Sequence, residues 1–150
     1  MTGQKRIAVF GGSECTAQTS EAAEKVGKLL AEKGVLVYCG GRSGVMKAVC
    51  KGTSEAGGTV VGVLPTEDVS GINNYVTVPV ATGVGQGRNV IIANSVHGAI
   101  AIAGAYGTLS EIAHTLAQKK PVVTLGSWDI KGVNEAQTPE GAVQKILELI

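Results

Sequence analysis

The chain has 150 residues, the usual size of one domain and enough for one hydrophobic core. It is 44% hydrophobic but only 3% aromatic and contains 22 glycines, so we expect an aliphatic core and many tight turns. The formal net charge of +1 gives no basic field for nucleic acid, and the few aromatic residues argue against base stacking.

The cysteines and the N-terminus bear on the cellular compartment. Cys15, Cys39 and Cys50 have no CxxC spacing, which predicts free thiols in a cytoplasmic protein. No apolar run is long enough to cross a membrane, and no targeting peptide is visible. His97 and His114 are isolated from the cysteines. We therefore expect no metal site, no membrane partner and no nucleic-acid partner.

Strands and helices alternate in the first half of the chain. Short apolar runs that end at glycine or proline predict the strands, which cover residues 6–12, 35–41, 59–65 and 76–81. Pro79 places the last of these near a sheet edge. Apolar residues at helical spacing predict a helix over 19–34 with a C-terminal Gly34. Ser43 is expected to cap a second helix that ends at Gly57 and Gly58.

The second half continues the alternation. Strands are predicted over residues 98–104 and 121–126, helices over 88–96 and 108–119, and loops over 66–75, 82–87 and 127–137. The helix over 88–96 is apolar nearly all round, so we expect it to be buried, either in the core or in a subunit interface. Thr108 and Glu111 fit a capping box at the start of the next helix. Thr138, followed by proline, is expected to cap the last helix.

This alternation predicts an α/β fold: a single Rossmann-like three-layer domain over residues 1–150 with a mainly parallel sheet. Ligands of such folds bind beyond the carboxyl ends of the strands, at the switch point between the two halves. The first strand and the strand over 98–104 should be neighbours there. The turns "GGSECT", "GGRSG" and "GAYGT" would then converge on one end of the sheet.

Each of these turns opens toward a helix N-terminus, which favours an anion. The predicted phosphate-binding residues are Gly12, Ser13, Gly41, Arg42, Gly104, Gly107 and Thr108. The alternative is that glycine turns are routine in α/β folds. The chain has no GxGxxG, no acid after the second strand and no P-loop, so a dinucleotide-dependent dehydrogenase and a P-loop enzyme are disfavoured.

Two charged side chains are candidates for the chemistry of this site. Arg88 would oppose the dipole of the helix that it begins, so a ligand contact explains it better than a surface ion pair. Glu111 has a structural explanation in the capping box. At the mouth of the sheet its carboxyl group could instead contact a ribose or position a water molecule.

The motifs "GGRSGVMKAV", "GRNVIIANSV" and "AGAYGTLSE" together resemble the LOG (Lonely Guy) family and the related molybdenum cofactor carrier proteins. The similarity follows nearly the whole chain in order and spacing. The family hallmark is PGGxGTxxE, preceded by a helix that carries an arginine. Arg88 followed by Asn89 is similar to the carrier-like branch, whereas the phosphoribohydrolase branch usually has Arg-Lys.

The resemblance implies two functions. LOG enzymes hydrolyse the N-glycosidic bond of nucleoside 5′-monophosphates, which would give Arg88 and Glu111 catalytic roles and place the phosphate on Gly107 and Thr108. The carrier proteins bind a phosphorylated molybdopterin without turnover, which would make the molybdenum cofactor a carried ligand. No cofactor is required for either. The family's other description, "possible lysine decarboxylase", finds no support in the residues.

The resemblance also implies a homo-oligomer, a dimer or tetramer. Two positions depart from the hydrolase motif: Ala103 replaces proline and Ala105 replaces the second glycine. Ala105 adds a Cβ atom where the backbone should approach a ligand, and we expect a positive φ there to be costly. The sequence thus predicts a binder of a phosphorylated nucleotide or pterin, either as a phosphoribohydrolase or as a non-catalytic carrier or sensor.

Overall fold

The computed structural model describes residues 3–150. Its centre is a seven-stranded sheet in which every pairing is parallel, with the spatial order β4-β3-β2-β1-β5-β6-β7. The strands are β1 (Arg6–Gly11), β2 (Leu36–Cys39), β3 (Val60–Leu64), β4 (Val78–Ala81), β5 (Gly98–Ile102), β6 (Val122–Leu125) and β7 (Asn134–Ala136). This order confirms the predicted α/β fold with a parallel sheet.

Five α-helices cover the two faces of the sheet within the described range. They are α1 (Ala17–Glu32), α2 (Val45–Glu55), α3 (Arg88–Ser95), α4 (Tyr106–Ala117) and α5 (Pro139–Leu149). Helices α1, α2 and α5 pack together on one face, and α3 and α4 pack on the other. A short 3-10 helix, Gly85–Gly87, leads into α3.

The core consists of aliphatic side chains, as the composition predicts. The central strands are buried on both faces, which is why their sequences are apolar without alternation. One cluster lies under α1, α2 and α5 and a second under α3 and α4. No helix among residues 3–150 has the length and apolarity needed to cross a bilayer.

Several predictions about the elements are confirmed. β1 pairs with β5, with Ile7 opposite Gly98, so the two halves meet where the sequence places the switch point. Strand β4 lies at the sheet edge and contains Pro79. The Thr138 hydroxyl accepts a hydrogen bond from the Gly141 N–H (3.0 Å) and caps α5.

Other predictions are wrong in detail. Residues 127–137 are not all loop, because Asn134–Ala136 adds a seventh strand beside β6. The helix over 88–96 buries Ile92 and Ala93 in the core, while Ile91 is 37% exposed within one chain. Ser43 does not cap α2. Its hydroxyl donates to the Ser13 carbonyl oxygen (2.9 Å), and Gly44 occupies the cap position.

The capping box proposed for Thr108 and Glu111 is also wrong. Helix α4 begins at Tyr106, so its cap residue is Ala105, which makes no side-chain cap bond. The helix starts early because Gly104, with a φ of 91°, already reverses the chain after β5. Thr108 and Glu111 therefore lie inside the helix and are both buried. The Glu111 carboxyl group therefore does not cap α4.

Candidate active site

A cleft of about 440 Å³ opens at the carboxyl edge of the sheet, between the ends of β1 and β5. It lies at the switch point, where the chain leaves one half of the sheet and begins the other. Its walls are the turns after β1, β2 and β5 and the first turns of α3 and α4. The lining residues are Gly11, Gly12, Ser13, Glu14, Arg42, Met46, Gln86, Arg88, Asn89, Gly104, Ala105, Gly107, Thr108 and Glu111.

Arg88 is buried at one wall of the cleft, with 7% of its surface exposed. Its Nη1 donates hydrogen bonds to the carbonyl oxygens of Gly40 (2.8 Å) and Val63 (2.7 Å). Gly40 directly follows β2, and Val63 lies within β3. Its Nε donates to Oδ1 of Asn89 (2.9 Å). Burial lowers the pKa of Arg88, and the nearby Glu111 opposes that shift. The guanidinium is thus a positive charge held at the wall of the cleft by hydrogen bonds to the backbone of β3 and of the turn after β2.

Gly40 is required by this arrangement. A Cβ atom at that position would lie 2.6 Å from Sδ of Met46 and 2.8 Å from Nη1 of Arg88. The glycine therefore lets the guanidinium reach the backbone after β2. Arg88 is buried and forms no ion pair within 4.0 Å with a described residue, so the alternative to a ligand contact, a surface ion pair, does not apply.

Glu111 lies in the second turn of α4 and is 8% exposed. Its carboxyl group makes no hydrogen bond to the described residues, yet it lines the cleft. Burial raises the pKa of Glu111 to about 8, against the opposing charge of Arg88. The ion pairs within 4.0 Å among described residues lie on the surface, and none joins Arg88 to Glu111. The cleft therefore contains an unpartnered and mostly protonated acid at neutral pH.

The turn that leads from β5 into α4 differs from the expectation. Ala105 has a φ of −117°, so the backbone avoids there the positive φ that would be costly for alanine. The left-handed conformations fall instead at Ala103 (φ 49°) and Gly104 (φ 91°). A proline, with φ fixed near −65°, cannot adopt the Ala103 conformation. Ala105 lines the cleft.

Helix α4 presents its first N–H groups to the cleft. The Leu109 N–H reaches the Ala105 carbonyl oxygen (3.0 Å), while the preceding N–H groups have no acceptor within the helix. Gly107 and Thr108, which carry two of those groups, line the cleft. This is the geometry of an anion site at a helix N-terminus.

The turns after β1 and β2 complete the cleft. Gly12 packs against the Gly104 backbone, since a Cβ atom on Gly12 would lie 3.7 Å from Cα of Gly104. Ser13 and the exposed Arg42 also line the cleft. Gly41 does not: it is buried behind the turn, and its N–H donates to Sγ of Cys39 (3.3 Å).

Of the predicted site residues, all but Gly41 lie together. The cleft also contains residues that the sequence reasoning did not assign to it: Glu14, Met46, Gln86 and Asn89. Glu14 and Met46 lie in the quoted stretches "GGSECT" and "GGRSGVMKAV", and Asn89 directly follows Arg88, whose Nε donates a hydrogen bond to its side chain.

Replacing each of two glycines of the β5–α4 turn with alanine should change the stability of the protein by very different amounts. Gly104 has a positive φ, and a Cβ atom there would overlap the Thr108 side chain. We expect Gly104→Ala to lower the free energy of unfolding by about 2–4 kcal/mol. Around Gly107 nothing lies within 4 Å of an added Cβ atom, so Gly107→Ala should change stability by less than about 1 kcal/mol. Urea denaturation of the two variants measures the difference, and equal losses would contradict this description of the turn.

Comparison with known proteins identifies relatives of two kinds. The family model described as "SLOG cluster4 family" matches residues 4–148. The molybdenum cofactor binding protein of Rippkaea orientalis has a similar structure, with a TM-score of 0.93, 30% identity and coverage of 99% of this chain and 98% of that one. The molybdenum cofactor carrier protein of Chlamydomonas reinhardtii gives a TM-score of 0.88 with 36% identity, covering 97% of this chain and 98% of that one.

The second kind of relative is enzymatic. A probable cytokinin riboside 5′-monophosphate phosphoribohydrolase of Oryza sativa subsp. japonica is 36% identical over 118 residues, which is 75% of this chain and 52% of the relative. This chain thus spans about half the length of that relative. The resemblance to both branches is confirmed, and the match over 4–148 shows that the chain belongs to the SLOG cluster4 family.

Proposed function

We propose that this protein binds a small phosphorylated heterocycle, a pterin or a nucleotide, in the cleft at the switch point and carries it without hydrolysis. The observation that carries the proposal is the convergence of three kinds of donor on one cleft. These are the free N–H groups at the start of α4, the buried guanidinium of Arg88 and the protonated carboxyl group of Glu111.

The phosphate would lie at the start of α4. The N–H groups of Gly107 and Thr108 are oriented by the helix, whose dipole favours an anion at this end. Arg88 adds a full positive charge that is already desolvated and held by carbonyl oxygens, so binding needs no further ordering of its side chain. The rest of the ligand would extend along the cleft toward Arg42 and Gln86.

The protonation state of Glu111 determines which role its carboxyl group can take toward a ligand. A pKa of about 8 leaves the carboxyl group mainly neutral at pH 7. A neutral acid donates a hydrogen bond to a ligand oxygen, but it supplies no negative charge to an oxocarbenium-like transition state. A neutral Glu111 could still donate a proton to a leaving base, but it does not supply the carboxylate that stabilises the positive charge, so we place carriage before hydrolysis.

The comparisons support the same proposal. The proteins described as binding or carrying the molybdenum cofactor match this chain over nearly their whole length. Asn89, the carrier-like residue of the motif, fixes Nε of Arg88 from within the cleft. A phosphorylated pterin is thus the ligand class that we place first, with the molybdenum cofactor as cargo.

Phosphoribohydrolase activity is the second candidate. It is favoured by one observation: Arg88 and Glu111, the residues that correspond to the paired Arg and Glu of LOG enzymes, line the same cleft. Loss of the Glu111 proton at high pH would give the carboxylate that this chemistry needs. Measuring ligand binding and base release on the same samples distinguishes the two functions.

We expect purified protein to bind nucleoside 5′-monophosphates and a phosphorylated pterin but to release no free base. Calorimetry measures the binding, and chromatography of the same mixtures at pH 7 and pH 9 measures the base. The unphosphorylated nucleosides are the matched ligand controls and should bind at least tenfold more weakly, because they lack the group that contacts α4 and Arg88.

Base release that depends on Glu111 would establish the hydrolase instead. Equal affinity for a nucleotide and its nucleoside would contradict the phosphate site. Binding of neither ligand class would refute the proposed function.

A further inference from the structure

We propose that Ser127 and Trp128 are positioning residues of the phosphate site. They follow β6, outside the cleft, and orient the backbone N–H groups of the turn that begins α4. This inference rests on the proposed function, because it concerns the same anion site. Both residues lie in the segment 127–137, which is predicted from the sequence to be loop.

The two side chains bind the turn on either side of Gly104. The Ser127 hydroxyl donates a hydrogen bond to the Ala103 carbonyl oxygen (2.6 Å). Nε1 of Trp128 donates to the Ala105 carbonyl oxygen (2.9 Å). Two adjacent residues thus hold the carbonyl groups of two alternate peptide units, and the Ala105 carbonyl oxygen also accepts a hydrogen bond from the Leu109 N–H of α4 (3.0 Å).

Fixing those carbonyl groups also fixes the opposite ends of the same peptide units. In a trans peptide the C=O and N–H bonds point in opposite directions. Holding the carbonyl oxygens of Ala103 and Ala105 toward the segment after β6 therefore turns the N–H groups of Gly104 and Tyr106 away from it. Because β5 lies between β6 and β1, that direction is toward the β1 side of the turn, where Gly104 and Ala105 line the cleft.

The turn needs such a restraint. Ala103 has a φ of 49°, a left-handed conformation that costs an alanine about 1–2 kcal/mol. Left to itself, its peptide unit would relax toward negative φ and rotate the following N–H out of the cleft. The Ser127 hydroxyl opposes this rotation by holding the Ala103 carbonyl oxygen.

The restraint is itself anchored. Trp128 is half-buried and packs against the hydrophobic cluster under α3 and α4. Its ring also contacts the ring of Tyr106, with centroids 5.9 Å apart. The indole N–H is therefore held in place by packing on the core, so it can direct the turn rather than follow it.

The test is a titration of the folded protein with sodium phosphate, followed by the amide ¹H–¹⁵N signals of Gly104, Tyr106 and Gly107. Ser127→Ala removes one hydroxyl, and Trp128→Phe keeps a packed ring but removes the N–H donor. We expect each variant to weaken phosphate binding at least fivefold and the double variant at least twentyfold, with the Gly104 and Tyr106 signals losing most of their shift. Ser127→Thr, which keeps the hydroxyl, should bind phosphate as the unmodified protein does.

Ser95→Ala is the matched control. It also removes a serine hydroxyl that donates to a backbone carbonyl oxygen, that of Ile91 (2.7 Å), but it lies at the end of α3. It should leave phosphate binding unchanged even where thermal stability falls by the same amount.

Variants that bind phosphate within twofold of the unmodified protein would overturn the inference, as would an unmodified protein whose turn signals do not respond to phosphate. The proposed function fails separately if phosphate shifts these signals but no nucleotide or phosphorylated pterin binds.

Discussion

Replacing Arg88 with methionine should lower the free energy of unfolding by about 3–5 kcal/mol and abolish measurable binding of phosphorylated ligands. Methionine fills similar space but donates no hydrogen bond, so the buried carbonyl oxygens of Gly40 and Val63 lose their donor. Removal of the charge also deprives the ligand phosphate of its fixed cation. Urea denaturation measures the stability, and calorimetry with a nucleoside monophosphate measures the binding.

Two controls separate the structural role from the binding role. Arg42→Met removes an exposed arginine of the same cleft and should change stability by less than about 0.5 kcal/mol. Arg88→Lys keeps a charge but not the planar fork, so it should recover part of the stability and only part of the affinity. If Arg88→Met unfolds like the unmodified protein, Arg88 does not link the strand ends as described.

The sheet and its switch point could be predicted because the information is local and repeated. Each central strand is a short apolar run ended by glycine or proline, and the helices between them carry apolar residues at regular spacing. The strand Asn134–Ala136 has no such run. It forms because its backbone completes the edge beside β6, which only the folded sheet reveals.

The cleft was predictable at the level of turns but not of backbone conformation. Positions with glycine indicate where a positive φ is allowed, yet the left-handed residue beside Gly104 is Ala103 rather than Ala105. Its carbonyl group is held by Ser127, which lies 24 residues away in the chain. No spacing rule connects these two positions, so the left-handed conformation of Ala103 could not be predicted from the sequence.

The role of Glu111 illustrates the same limit. From the sequence, Thr108 and Glu111 fit a capping box, in which the carboxyl group would be charged and close to solvent. Helix α4 begins at Tyr106 instead, which carries Glu111 into the second turn and against the core side of the cleft. A shift of two residues in the helix start thus converts a surface carboxylate into a buried acid.

Glu111→Gln should therefore stabilise the protein, and more so as the pH rises. The pKa of Glu111 is about 8 in the folded protein and near 4.5 in an unfolded chain. Between these values the folded state binds more protons than the unfolded state, so this residue lowers the free energy of unfolding as pH increases from about 4.5 to about 8. Glutamine cannot ionise. The stability difference between variant and unmodified protein should grow by about 3 kcal/mol from pH 5 to pH 8.

Urea denaturation of both proteins at pH 5, 6.5 and 8 measures this growth, and Glu55→Gln, at an exposed position of α2, controls for the loss of one carboxyl group. A difference that stays constant with pH would mean that Glu111 is already ionised in the folded protein. Such a carboxylate could stabilise an oxocarbenium-like charge, so the result would also favour the hydrolase. A growing difference, with nucleotide binding retained in Glu111→Gln, would show that the cleft uses this residue as a neutral hydrogen-bonding group, as a carrier requires.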